Sequence, residues 1–135
     1  MRFFAILLLC VLPLSALEKD SKDTAKIEMI LRQQRELEAN ELMLNGKKHQ
    51  IEGRLEDALS CYSKAIHLYE KSSSSEKRII NRINDSRILL VSVYKSLADK
   101  VITQAEKESS VELFDKAKAL LNEAQKQNSL IRKSR

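Results

Sequence analysis

The sequence predicts an all-α protein built from antiparallel helical hairpins, about four helices taken in pairs. Three observations carry that prediction. The 135 residues include only two glycines, one proline and no tryptophan, and they are rich in Leu, Ile, Ala, Glu, Lys and Gln, which favour helix and leave little material for tight β-turns. Apolar residues recur at sums of three and four rather than in alternation. The breaks between these periodic stretches are few, and they coincide with residues that end or start helices.

The N-terminus stands apart from this pattern. "MRFFAILLLCVLPLSA" has one cation at Arg2, an apolar run from Phe3 to Leu12, then Pro13 and the small residues Ser15 and Ala16. That is the layout of a secretory signal peptide over residues 1–16. The run is shorter than the roughly 20 residues a spanning helix needs, so membrane association stays open but is not expected through a spanning helix. Leu9 precedes Cys10 where a lipoprotein signal has a small residue, so Cys10 reads as part of the leader. Its removal leaves Cys61 as the remaining cysteine and excludes an intramolecular disulfide. Export through the secretory pathway, to a periplasmic or extracellular location, follows.

The domain proper is expected over residues 17–128. A first helix should run from about Thr24 to Glu52 and stop at Gly53, a residue suited to the left-handed conformation that terminates helices. The second, from Arg54 to Lys71, carries Glu56 and Asp57 in its first turn, at the positive end of the helix dipole. Ser72 to Ser75 read as a loop. Ser73 and Glu76 have capping-box spacing and predict the start of a third helix, in which Ile79, Ile83, Leu90, Tyr94, Leu97 and Val101 mark one face as far as about Lys107. Ser109 and Glu112 repeat the capping-box spacing. They open a fourth helix with Val111, Phe114, Ala117, Leu120, Leu121 and Ala124 as its apolar face. Beyond Asn128 the periodicity fades, and residues 129–135, with Arg132, Lys133 and Arg135, read as a basic disordered tail.

The stretch from Leu42 to Leu68 resembles a tetratricopeptide repeat. Leu42, Gly46 and His49 occupy the first-helix positions, Gly53 falls at the turn, and Leu55, Ala58, Leu59, Tyr62, Ala65 and Leu68 follow at the family's spacings. Asn45 and Glu70 depart from it, standing where the family has leucine and proline. A shift of 52 residues gives a second copy: Gly46 meets Ala98, His49 meets Val101, Tyr62 meets Phe114 and Ala65 meets Ala117. The interval exceeds the usual 34 by about five helical turns, which predicts two repeats with extended first helices.

The resemblance implies a concave surface lined by the first helix of each repeat. The positions carried over to that groove are Asn40, Met43, Leu44, Lys47, Gln50 and Ile51 in the first repeat, and Ser92, Lys95, Asp99 and Ile102 in the second. Their mixed character suits a peptide or helix ligand. Met43 and Leu44 stand where a carboxylate clamp would want polar residues, so a chaperone C-terminus is not the expected partner. Two repeats are few for a solenoid, and a protein partner or a second copy of the chain is expected to cover an exposed end.

Catalytic chemistry is not expected. His67 lies six residues after Cys61, off the positions that would place the pair side by side, and no His/Cys cluster has metal-ligand spacing, so no cofactor is implied. The formal net charge of +5, or +4 once Arg2 leaves with the leader, is modest, and export argues against a nucleic-acid partner. The function expected is that of an exported, non-enzymatic helical-repeat scaffold or adaptor. The alternative is a structural coiled-coil or bundle-forming envelope component that self-associates.

Overall fold

The computed structural model describes residues 14–73 and 75–133, with side chains for residues 22–72 and 75–131. Within them the chain forms four helices: α1 (Leu14–Ile51), α2 (Leu55–Ser73), α3 (Lys77–Glu108) and α4 (Val111–Lys133). The expected leader and Cys10 lie outside the described residues except for positions 14–16, which already belong to α1. Helices adjacent in sequence pack on one another, so α1 and α2 form one hairpin, α3 and α4 a second, and α2 joins them by packing on α3.

Both hairpin turns close on a left-handed residue followed by a backbone N–H that bonds a carbonyl five residues back. At the first, Gly53 adopts φ 78°, its N–H bonds the Gln50 carbonyl at 3.1 Å, and the Arg54 N–H reaches back to the His49 carbonyl at 2.8 Å. This is a Schellman motif, which satisfies carbonyls that the end of a helix otherwise leaves open. At the second, Ser109 takes the left-handed conformation at φ 50° and the Ser110 N–H bonds the Ala105 carbonyl at 3.1 Å. The second turn is therefore as tight as the first, and the glycine-free sequence there does not loosen it.

Several boundaries move from their expected places. The serine run is not a simple loop: α2 continues through Ser73, and the Ser72 hydroxyl donates to the Tyr69 carbonyl at 2.8 Å. α3 begins at Lys77 after Glu76, which makes no side-chain cap, so the Ser73–Glu76 capping box does not form. The cap of α4 is Ser110, whose hydroxyl accepts the Leu113 N–H at 3.3 Å, because Ser109 is spent on the left-handed turn. α4 runs on through Lys133 and buries Ile131, so residues 129–133 are helix and not a disordered tail.

The core lies between the first hairpin and α3. Ala39, Ala58, Tyr62, Ala65, Tyr69, Ile79 and Val93 are buried there. Gly46 is a point of close approach in the first hairpin, since a Cβ at that position would lie 2.5 Å from Cε1 and 2.7 Å from Cδ1 of Tyr62. The second hairpin is held by smaller residues: α3 buries Ala98 and Ala105, and α4 buries Ala117 and Ala124. Val111, Phe114 and Leu121, expected on the buried face of α4, are exposed. Near the turn, burial on α4 follows the residues small enough to let α3 come close, Ala117 and Ala124, and a large apolar residue, Ile131, is buried only at its far end.

Candidate functional site

The first helices of the two hairpins, α1 and α3, lie side by side and parallel. Three polar contacts set their register. Arg78 of α3 pairs with Glu36 of α1, an Arg82 Nη1–H donates to Asn40 Oδ1 at 2.8 Å, and Gln50 Nε2–H donates to Ser92 Oγ at 2.8 Å. Each pair is separated by 42 residues. The turns that end α1 and α3, at Gly53 and Ser109, are 56 residues apart, so at this register the second hairpin reaches 14 residues, about 21 Å, beyond the first along the shared direction. Arg87 of α3 ties the remaining helices, donating to Glu70 of α2 at 3.0 Å and to Gln127 of α4 at 2.9 Å.

This stagger decides which expected groove residues are available. Asn40 is half-buried and accepts from the Tyr69 hydroxyl at 2.5 Å as well as from Arg82. The Met43 sulfur accepts from the Ser86 hydroxyl at 3.0 Å. Gln50 is held from both sides, since its Oε1 accepts from the Tyr62 hydroxyl at 2.8 Å while its amide donates to Ser92. These four positions, Asn40, Met43, Gln50 and Ser92, act in joining α1, α2 and α3. Burial pushes the phenols of Tyr62 and Tyr69 above the usual tyrosine range, the nearby Arg82 partly opposing this at Tyr69. Leu44, Lys47, Ile51, Lys95 and Asp99 are exposed, and Ile102 is half-buried.

Leu44 and Ile51 belong to a longer feature that was not singled out from the sequence. Ile30, Leu37, Leu44 and Ile51 are 50, 64, 66 and 87% exposed, and they fall at intervals of seven. Positions seven apart drift by only about 20° around a straight helix, so the four form one stripe, about 32 Å long at 1.5 Å per residue. The signal was present in the sequence as that interval. It was hidden because the buried face of α1, through Ala39 and Gly46, is spaced in the same way. On α3, Ile88 adds a half-exposed apolar residue.

α1 also extends well past its neighbours. With a 42-residue register, Lys77, the first residue of α3, is level with Arg35, and every described side chain from Lys22 to Gln34 is exposed. Ile27, Met29, Ile30 and Leu31 stand on this projecting segment. Where it passes the α2–α3 connection there is an open cleft of about 460 Å³, lined by Glu28, Met29, Arg32, Ser72, Glu76 and Arg78 among others.

Cys61 is half-buried on α2, His67 is exposed, and His49 is half-buried with its Nδ1 lacking a hydrogen-bond partner among the described residues. Among the described residues no group of three His, Cys, Asp or Glu converges as a metal site would require. No helix of the described residues is long and apolar enough to cross a membrane. Comparisons with protein families, curated proteins and solved structures find no match to this chain.

Proposed function

We propose that this protein is a non-enzymatic helical scaffold that binds another polypeptide on the face shared by α1 and α3, and that it acts after export, in a cell-envelope or secretory assembly. One observation carries the reading: the stripe of Ile30, Leu37, Leu44 and Ile51, large apolar side chains left half or more exposed on a helix whose opposite face is packed. Exposed apolar surface rimmed by polar residues marks a place where a protein meets a partner. Of the groove positions implied by the tetratricopeptide resemblance, Leu44, Lys47 and Ile51 on α1 and Lys95 and Asp99 on α3 remain exposed, giving the mixed surface that suits a helix or peptide. The export part of the proposal rests on the leader-like sequence of residues 1–16.

The test is crosslinking and capture from the native envelope with the wild-type chain and with Leu44→Glu and Ile51→Glu. These side chains are exposed, so the variants should keep their helicity. The expected result is a discrete captured polypeptide, this chain or another, that is lost in both variants. Capture that is unaffected by either charge, or no capture above background, would refute the reading.

A further inference from the structure

We propose that the occupant of the α1 stripe is the same stripe of a second copy, the two α1 helices lying antiparallel about a two-fold axis. This rests on the reading of that face as a polypeptide-binding surface and names its partner. The pattern of the stripe itself selects the occupant. An antiparallel arrangement centred between Asn40 and Glu41 sets Ile30 opposite Ile51 and Leu37 opposite Leu44, so all four apolar residues of each copy meet an apolar residue of the other.

The flanking charges agree with that direction. In this register Gln33 falls opposite Lys48, Gln34 opposite Lys47 and Asn40 opposite Glu41, and no like charges face each other. A parallel pair in register would set Glu41, Lys47 and Lys48 each against its own copy, an arrangement that repels. Self-complementary patches of this kind close on themselves as two-fold dimers. A foreign helix would have to reproduce the seven-residue spacing, which a second copy already has.

The projecting start of α1 is a second, independent reason. Residues 22–34 are each exposed, and helical stability comes mostly from packing against a neighbour. In this register residues 30–34 of each copy run beside residues 47–51 of the other's α1, so the inner end of each projecting segment gains a neighbour.

The experiment has two arms on the purified full chain. Light scattering across a concentration series should give twice the chain mass, and Leu37→Glu with Leu44→Glu should weaken dimerisation at least about tenfold while far-ultraviolet circular dichroism is retained. In a Cys10→Ser, Cys61→Ser background, mixing Leu37→Cys chains with Leu44→Cys chains should form a disulfide-linked dimer on mild oxidation, and either variant alone should link much less. The cysteine arm stands even if the glutamate variants fail to fold. A monomer at all concentrations, a dimer indifferent to the glutamates, or Leu44→Cys linking to itself as readily as to Leu37→Cys would overturn the proposal. A monomer whose capture of a different protein still depends on Leu44 overturns self-pairing alone. A monomer whose capture is indifferent to Leu44 overturns the binding reading as well.

Discussion

Gly46→Ala is the most diagnostic substitution in the first hairpin, because two opposing effects of known size meet there. In an open helix the change would stabilise by about 0.5–1 kcal/mol, since alanine restricts the unfolded chain and favours helix. Here the added Cβ would lie 2.5 Å from Tyr62 Cε1. The ring has nowhere to retreat: Tyr62 is fully buried, and its hydroxyl is anchored on Gln50. Forcing a methyl into such a contact costs about 1–3 kcal/mol, and displacing the ring enough to break the hydrogen bond adds about 1 kcal/mol. The crowding wins, and we predict a net loss of about 1–3 kcal/mol.

The assay is urea unfolding followed by circular dichroism, on Gly46→Ala in the wild-type chain and in a Tyr62→Val background. Valine ends at Cγ and lacks the Cδ1, Cε1 and Cζ atoms that the methyl strikes, so the sign should reverse there, toward the helix-propensity gain of about 0.5–1 kcal/mol. A wild-type background in which Gly46→Ala is neutral or stabilising would refute the reasoning. So would an equal loss in both backgrounds.

The other predictions concern the hydrogen-bonded core, the turns and alkaline pH. Asn40→Ala should cost about 1–3 kcal/mol, because it strands the buried Tyr69 hydroxyl, whereas Tyr69→Phe should cost only about 0.5–1.5 kcal/mol, because Arg82 still satisfies Asn40; equal melting losses would contradict that ordering. Nothing lies within 4 Å of a Cβ at Gly53, but its φ is 78°, so Gly53→Ala should destabilise by about 1–2 kcal/mol through the backbone alone. Ser109→Gly should stabilise by up to about 1 kcal/mol for the same reason. Tyr62, Tyr69 and Tyr94 all ionise above the usual 10.0 when folded, chiefly because burial disfavours the charged phenolate. The stability this linkage contributes is present in full below pH 10 and lost as pH rises through the raised values. Tyrosinate absorbance at pH 10 should stay below half its final amplitude in the folded chain and reach half in urea.

Much of the helix layout was legible because it depends on local properties. Periodicity placed the four helices, and Gly53 marked its turn because a residue without Cβ reaches positive φ at little cost. The capping boxes failed because Ser73 and Ser109 each had a competing role: α2 continued through one, and the other took the left-handed turn. A cap is a choice among hydrogen bonds of similar strength, and packing of neighbouring helices tips it. The candidate face was legible in part. Leu44, Lys47 and Ile51 emerged exposed, while Asn40, Met43, Gln50 and Ser92 went into the contacts between helices, since their polar atoms meet partners 12 to 43 residues away.

The sequence alone determined that this chain would be helical and where its first hairpin would fold, because backbone conformation and hydrophobic period are set within a few residues. Only the tertiary structure decided how the two hairpins slide past one another. The register of 42 places Gln50 beside Ser92 and Asn40 beside Arg82, and the packing leaves Ile30, Leu37, Leu44 and Ile51 outside. α1 carries two faces with the same seven-residue spacing, one of small residues and one of large. Close packing selects the small one for the interior, because helices approach most closely where side chains are least bulky.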